Sequence, residues 1–408
     1  MNKRIVIVGA GHAGGTLAAL LRQFGHKGAI VLIGAEPELP YQRPPLSKAY
    51  LKGVAERAAL LLKPANFYAE KNIELLLDAE VTGIDAGARA VALSCGETIS
   101  YDILVLATGA RPRPLAVPGA ELPGIHVLRS IADADNMISC LKPGSKLAII
   151  GGGYVGLEVA ASARALGCDV TVIEREARVL ARVASEELSS FFVKRHQAEG
   201  VEFRCSALVE TIERDRVGAV TGLHLSDGSR IAADCILAGI GALPNLELAQ
   251  TAGLDCDQGI LVDEEARTSA PDIFAIGDVT RRPLSLYDGR LHRIESVPNA
   301  LEQARIVASV LTGRPLPKPE VPWFWSDQYE LKLQIAGLPI DATRTVLRGS
   351  AEAGSFSLFH LRDNRVRAVE AVNAPADFMA AKQWIAAGTE VPVERLSDTA
   401  IAIMDLLN

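Results

Sequence analysis

Short apolar runs that end in glycine give this chain its pattern. Ile5–Val8 leads into Gly9, Lys146–Ile150 leads into Gly151, and a segment with helical spacing of apolar residues follows each glycine turn. Apolar runs of this length, bounded by glycine, are typical of strands buried on both faces of a parallel sheet. The pattern therefore predicts two strand–turn–helix units.

Both turns have the spacing Gly-x-Gly-x-x-Gly, at Gly9, Gly11 and Gly14 and again at Gly151, Gly153 and Gly156, with a constant offset (151 − 9 = 142). The first glycine permits the turn, the second lets a pyrophosphate approach the backbone, and the third lets the helix pack closely. Glu36 and Glu174 end the second strand of each unit, where a carboxylate binds a ribose. Two dinucleotide sites are predicted.

The repeat extends beyond the glycines. Residues 102–110, with Ala107, Thr108 and Gly109, correspond to residues 234–242, with Gly239. A third strand, 272–276, ends in Gly277 and Asp278, where a carboxylate can bind a polyol hydroxyl at the edge of the sheet.

The predicted fold is α/β, with two Rossmann-like domains and a small C-terminal α+β domain. We expect residues 1–112 and 245–321 to form one nucleotide domain, 113–244 the other and 322–408 the third. In the last domain, strands are expected at 331–335, 355–360 and 365–372, and helices at 375–387 and 393–407.

Composition excludes several classes of protein. The 408 residues carry a net charge of −7, which disfavours a nucleic-acid binder because such proteins neutralise phosphates with basic side chains. No run approaches the roughly 20 apolar residues of a membrane helix, and the start does not resemble a signal peptide. Six scattered cysteines without a Cys-x-x-Cys pair suggest unpaired, inert thiols in the cytoplasm, and no metal site is expected.

The Ala107-Thr108-Gly109 and Gly277-Asp278 strands, together with the second glycine motif, resemble the flavoprotein reductases with two dinucleotide-binding domains, the pyridine nucleotide-disulfide oxidoreductase superfamily. The match covers essentially the whole chain. Residues 41–48, where the superfamily carries redox cysteines, contain none. Their Arg-Pro-Pro-Leu-Ser-Lys sequence instead resembles the FAD-dependent ferredoxin reductases of oxygenase systems, of the putidaredoxin, palustrisredoxin and rhodocoxin reductase type.

That resemblance implies hydride transfer from NADH to FAD, and then single electrons to an acidic [2Fe–2S] ferredoxin serving a cytochrome P450 or a Rieske oxygenase. Val297 favours the P450 branch. Lys48 and Glu158 are the implied catalytic pair beside the flavin, and Arg305 and Trp325 the implied docking residues. A loop carrying Arg281, Arg282, Arg290 and Arg293 is a further docking candidate.

The implied nucleotide-binding residues form two sets. For FAD they are Gly9, Gly11, His12, Ala13, Gly14, Glu36, Arg43, Pro45, Lys48, Val81, Ala107, Thr108, Gly109, Arg129, Gly277, Asp278 and Val297. For NADH they are Gly151, Gly153, Tyr154, Gly156, Glu158, Glu174 and Gly239.

Two alternatives stay open at this point. An NADH oxidase or peroxidase would need a redox cysteine near position 43, and a flavoprotein resembling apoptosis-inducing factor would keep the fold but turn over poorly. Glu174 predicts NADH rather than NADPH, because a carboxylate repels a 2′-phosphate, although Arg175 and Arg178 nearby could accommodate one.

Overall fold

Each glycine turn lies at the carboxyl end of the central strand of its own five-stranded parallel sheet, in a computed structural model that describes residues 2–407. The first sheet has the spatial order Ile273–Ala275, Ile103–Leu106, Ile5–Val8, Ile30–Ile33 and Ile73–Leu76. The second has the order Val201–Arg204, Asp169–Ile173, Lys146–Ile150, Cys235–Ala238 and Ile125–His126. The predicted pair of Rossmann-like units is confirmed.

Helices cover these sheets, because strands that are apolar on both sides must be buried on both sides. The helix His12–Gln23 follows the first glycine turn and packs against Val297–Thr312, and Tyr154–Ala165 follows the second. The remaining helices of the two units are Arg57–Leu60, Phe67–Glu70, Ile131–Cys140, Glu186–Ala198 and Glu247–Thr251, with short 3₁₀ turns at Pro44–Ser47 and Ser285–Tyr287.

Smaller antiparallel elements surround the two parallel sheets. One three-stranded sheet contains Val81–Asp85, Ala90–Leu93 and Thr98–Ser100, and another contains Val209–Arg214, Val220–Leu225 and Arg230–Ala232. A third group contains Ile260–Leu261, Thr280–Leu284 and Arg290–His292. Ala110–Pro112 pairs with Ala242–Pro244, so the two chain crossings between the nucleotide units lie side by side.

The C-terminal unit is a five-stranded antiparallel sheet covered by one long helix. The sheet has the order Trp323–Gln328, Leu331–Gly337, Arg365–Val372, Ser355–Arg362 and Arg344–Ser350. The helix Pro375–Ala387 packs on it, as the sequence predicts. The strands Trp323–Gln328 and Arg344–Ser350 were not among the elements expected from the sequence.

The helix expected at 393–407 is wrong over most of its length. The structure has a single turn at Val393–Leu396 and a 3₁₀ turn at Ile403–Asp405. The buried Arg348 donates hydrogen bonds to the carbonyls of Leu396, Asp398 and Ile401, which a continuous helix would keep for itself. The Arg348 guanidinium therefore supplies hydrogen-bond donors to the carbonyls that have no helical partner at this break.

The expectation of six unpaired thiols is wrong for two of them. Cys140 and Cys235 form a disulfide although 95 positions separate them, because the helix Ile131–Cys140 ends beside the first residue of the strand Cys235–Ala238. Their Cα atoms are 6.4 Å apart, within the range a disulfide can bridge. The pair lies at the amino edge of the second sheet, and the other four cysteines are unpaired.

No helix among residues 2–407 combines the length and the apolar character that crossing a membrane requires.

Candidate active site

In the first glycine turn, the first and third glycines pack tightly against the backbone, and the second faces open space. A side chain on Gly9, whose φ is +114°, would overlap the carbonyl oxygen of Ala107, and one on Gly14 would overlap the carbonyl oxygen of Gly9. By contrast, a methyl group on Gly11 would meet no protein atom within 4 Å. The open space lies at the N-terminus of the helix His12–Gln23, where unpaired backbone N–H groups attract an anion.

The second turn repeats this construction. Gly151 has a φ of +107° and packs against the carbonyl of Gly239, while Gly156 packs against the carbonyl of Gly151. A methyl group on Gly153 would meet no atom within 4 Å. Both turns therefore present a helix N-terminus and a free approach for a pyrophosphate.

The two acids at the ends of the second strands are held differently. Glu36 accepts hydrogen bonds from Arg43 and from the Tyr41 hydroxyl, each at 2.5 Å, so its carboxylate is part of an ion pair. Glu174 accepts from the backbone N–H groups of Gly152, at 2.7 Å, and Glu176, at 2.8 Å. Glu174 thus stabilises the second glycine turn through its hydrogen bond with Gly152.

A group of charged side chains lies beside the first glycine turn. Arg129 forms an ion pair with Asp278 at 3.3 Å, and Arg43 donates to the Arg129 carbonyl at 2.6 Å. Burial raises the pKa of Asp278, although Arg129 opposes the shift. Burial, followed by the charges of Arg43 and Arg129, lowers the pKa of His12 to about 4, so this imidazole is neutral at physiological pH. The structure thus brings four predicted FAD residues together.

Apolar and backbone groups complete this side of the site. Ala13 and Val81 are buried, and Gly277 lies so close to Ala13 that a methyl group on it would come within 3.1 Å of the Ala13 side chain. Thr108 and Asn245 exchange hydrogen bonds where the chain crosses between the two units. Gly109, with φ +64°, permits the turn out of its strand.

The predicted pairing of Lys48 with Glu158 is present. The ammonium nitrogen lies 2.7 Å from Glu158 Oε2, and the two side chains are only 17% and 6% exposed. This excludes the alternative that they are solvated surface charges. Pro45 lies in the 3₁₀ turn Pro44–Ser47, which packs against the helix that carries Glu158.

The helix Val297–Thr312 begins at a cap formed by Ser296 and carries Pro298 in its first turn. Asn299, also in that turn, has a buried Oδ1 atom with no hydrogen-bond partner in the described part of the chain. A buried acceptor without a donor is costly, so it points to a ligand group. Together with the space before Gly11, this acceptor fits a dinucleotide such as FAD.

Several contributors could not be assigned from the sequence. Tyr41 bonds both Glu36 and the backbone of Ile131, and Gln303 accepts from the Gly277 N–H at 2.5 Å. Ser47 lies within the quoted Arg-Pro-Pro-Leu-Ser-Lys stretch, and its hydroxyl donates to Glu158 at 2.5 Å. Ser47 and Tyr41 had a local signal, since they lie next to Lys48 and near Arg43, whereas Gln303 had none.

The proposed docking residues lie near the C-terminal unit. Arg305 is exposed on the helix Val297–Thr312, and Trp325 is half-buried on the strand Trp323–Gln328, with its ring 5.6 Å from that of Trp323. The four-arginine loop is not a free basic patch, because each arginine forms an ion pair. The pairs are Arg281 with Asp257, Arg282 with Glu302, Arg290 with Asp341 and Arg293 with Glu295.

Comparison with known proteins identifies both parts of the chain. Residues 3–304 match the family described as pyridine nucleotide-disulphide oxidoreductase, and residues 323–407 match the reductase C-terminal family. A probable ferredoxin reductase, CtmF, of Castellaniella defragrans is 49% identical and covers 99% of each chain. Rhodocoxin reductase of Rhodococcus erythropolis is 47% identical over 97% of this chain and 92% of its own.

Solved structures agree with these relatives. Putidaredoxin reductase in its covalent complex with putidaredoxin superposes with a TM-score of 0.97 at 42% identity, covering 100% of this chain and 98% of that one. The ferredoxin reductase for the CYP199A2 system of Rhodopseudomonas palustris gives a TM-score of 0.95 at 40% identity, covering 99% of both. The chain belongs to the pyridine nucleotide-disulphide oxidoreductase family.

Proposed function

We propose that this chain is an NADH-dependent ferredoxin reductase that takes hydride from NADH onto FAD and gives single electrons to a [2Fe–2S] ferredoxin. The observation that carries this proposal is the buried Lys48–Glu158 ion pair, in a site that has no cysteine among residues 41–48. The disulfide Cys140–Cys235 lies at the opposite edge of the second sheet. From Cys235 to Gly239 is four strand residues, or about 13 Å. A thiol relay is therefore not part of the proposal.

In this proposal FAD lies along the first glycine turn, on residues 1–112 and 245–321, and NADH along the second, on 113–244. Bound FAD supplies the conversion between a hydride and single electrons. Lys48 and Glu158 fix one another's position, so neither charge is buried alone. In this proposal the N-terminus of the helix Val297–Thr312, capped by Ser296, supplies partial positive charge to the reduced flavin.

The choice of NADH over NADPH is supported by how the nearby arginines are engaged. Arg175 pairs with Glu176, and Arg178 donates to backbone carbonyls of its own loop, including those of Ala181 and Ala184. Glu174 stays in place as a fixed carboxylate. Arg178 is thus held within its own loop, and the Glu174 carboxylate would repel a 2′-phosphate.

The names of the relatives indicate the class of partner. They include reductases of rhodocoxin, putidaredoxin and terpredoxin, a reductase of the CYP199A2 system and one of a benzene dioxygenase system. A cytochrome P450 or a Rieske oxygenase is accordingly the final acceptor in this proposal. The cytoplasmic location expected from the sequence belongs to it as well, since NADH is a cytoplasmic reductant.

Anaerobic mixing of the purified protein with NADH, and then with a [2Fe–2S] ferredoxin, tests the function. The flavin absorbance should fall on addition of NADH and return as the ferredoxin is reduced. Reoxidation by dissolved oxygen alone should be slower. Oxygen reduction as fast as ferredoxin reduction would favour the oxidase alternative and contradict the proposal.

Arg305 and Trp325 are the proposed docking contacts. Arg305 has no carboxylate partner in the part of the chain that the structure describes, so its charge is available to an acidic ferredoxin. Replacing Arg305 by glutamate is expected to raise the KM for ferredoxin about 10-fold, because one attractive contact becomes repulsive. NADH oxidation with ferricyanide, a small acceptor, should be unchanged.

The matched control is Arg216→Glu, which reverses the charge of an exposed arginine in the turn of the sheet Val209–Ala232. It should leave the KM for ferredoxin within about twofold of the parent value. An equal rise in both variants would mean that only net charge matters and that Arg305 is not a docking contact.

A further inference from the structure

Glu158 receives hydrogen bonds from two different parts of the chain. Ser47 and Lys48 donate to Oε2 at 2.5 and 2.7 Å, and the Ser326 hydroxyl donates to Oε1 at 2.7 Å. Ser326 belongs to the C-terminal unit and is fully buried. The C-terminal unit therefore contacts Glu158 of the proposed hydride-transfer site through the Ser326 hydroxyl.

A chain of buried side chains continues behind Ser326. The Gln328 amide donates to Ser326 Oγ at 3.1 Å, and Gln328 Oε1 lies 2.8 Å from His196 Nε2. His196 Nδ1 lies 3.1 Å from the Tyr329 hydroxyl. Gln328 and His196 are 1% and 0% exposed, so no water competes for these bonds.

In this chain of hydrogen bonds, each group donates to the next group on the side of Glu158. Because an amide oxygen can only accept, His196 Nε2 donates to Gln328, and Nδ1 is left to accept from Tyr329. Burial lowers the pKa of His196 to about 4, so the ring is neutral and can take this tautomer. Aligned donors strengthen one another and stabilise a negative charge at the end of the chain.

Two protein segments hold the far end of this hydrogen-bond chain in place. Arg195, beside His196 on the helix Glu186–Ala198, lies over the Tyr329 ring at 4.7 Å and pairs with Glu330 at 2.8 Å. Tyr329 has a φ of +55°, an unusual conformation for a tyrosine that aims its hydroxyl at His196. The helix of the second nucleotide unit and the hairpin of the C-terminal unit are thereby fastened together.

We propose that Gln328 and His196 are positioning residues of the hydride-transfer site, which hold the Ser326 hydroxyl on Glu158 and so fix the carboxylate that orients Lys48. The inference rests on the proposed function. The chain sets geometry and does not conduct protons, since the Gln328 amide interrupts proton transfer.

The test is a double-mutant cycle on Gln328 and Ser326 in the FAD-loaded protein. Gln328→Leu keeps the size of the side chain but leaves Ser326 free to rotate, and Ser326→Ala removes the hydroxyl. Each is expected to lower the limiting rate of flavin reduction by NADH about 10-fold, as loss of a positioning partner does elsewhere, with the Kd for NADH unchanged. The double variant should be no slower than either single one.

Glu390→Gln is the matched control, because it breaks an exposed ion pair with Arg365 in the same C-terminal unit and has no contact with the proposed hydrogen-bond chain. Its reduction rate should stay within about twofold of the parent protein. The proposal would be overturned if the fold-losses in rate of Gln328→Leu and Ser326→Ala multiplied in the double variant. It would also be overturned if Gln328→Leu left the rate of flavin reduction unchanged. Absence of NADH reduction in the parent protein would instead overturn the proposed function.

A second measurement does not depend on activity, and its result is obtained on the parent protein. In ¹⁵N-histidine spectra, His196, assigned by its loss in His196→Asn, should show a protonated Nε2 and an unprotonated Nδ1. Tyr329→Phe removes only the terminal hydroxyl and should keep this tautomer, because Gln328 Oε1 still accepts from Nε2. A protonated Nδ1 in the parent protein would reverse the direction of the chain and refute it.

Discussion

Replacing Gly153 by valine is expected to lower kcat/KM for NADH about 100-fold or more, the effect of a methyl-bearing side chain in a space that the ligand must fill. Gly153 has φ −80° and ψ 177°, a conformation that valine adopts without strain. Because no protein atom lies within 4 Å of a Cβ atom at this position, the fold should be unaffected. The FAD should stay bound and remain reducible by dithionite.

The corresponding substitution in the first glycine turn tests the binding of FAD. Gly11, at φ −81°, has the same open surroundings in the first turn, so Gly11→Val should yield folded protein that does not retain FAD. Gly87→Val, in an exposed turn away from both sites, is the control and should behave as the parent protein. Normal reduction by NADH in Gly153→Val would show that the second turn is not the nicotinamide site.

Glu158→Gln is expected to slow flavin reduction by NADH about 100-fold and to lower the free energy of unfolding by about 3 kcal/mol. The amide keeps the shape of the side chain but removes the negative charge. Lys48, only 17% exposed, is then left without its carboxylate. Stopped-flow absorbance and urea denaturation measure the two effects.

A second variant separates stability from chemistry. Replacing both members of the pair, Lys48→Met with Glu158→Leu, removes the isolated charge and should recover most of the lost stability. The reduction rate should stay low, because the positioning contacts are gone. If the rate recovered together with stability, the ion pair would be structural only, and its role in hydride transfer would be refuted.

The parts of the fold that could be predicted are those whose requirements are local in the sequence. A glycine at positive φ before a helix, as at Gly9 and Gly151, is needed for a turn that the preceding apolar strand already implies. The repeat of the whole unit then made chance agreement negligible. The paired charges Lys48 and Glu158 were found only through the family resemblance, since 110 positions separate them.

What could not be predicted depends on the three-dimensional approach of distant segments. Nothing near Cys140 in the sequence signals its bond to Cys235, and nothing near Ser326 signals Glu158. The basic loop at 281–293 was misinterpreted for the same reason. Its carboxylate partners come mostly from other segments, as Asp257 does for Arg281.

The C-terminal unit shows how a buried polar group can override a pattern. Residues 393–407 have helical spacing of apolar residues, yet Arg348, on a neighbouring strand, binds carbonyls that an uninterrupted helix would use. The strand Trp323–Gln328 lacks a clean alternation, because Trp323, Phe324 and Trp325 are all partly buried. Tertiary contacts, of Phe324 with Tyr154 and of Trp323 with Phe378, explain this run of aromatic residues.

The central claim is that electrons pass from NADH to flavin and leave without a thiol intermediate, although the chain contains a disulfide. An anaerobic titration with NADH, followed by counting of free thiols under denaturing conditions, tests it most directly. The account predicts complete loss of flavin absorbance at one equivalent of NADH per FAD, with four free thiols before and after. Uptake of two equivalents, with two new thiols at Cys140 and Cys235, would contradict it.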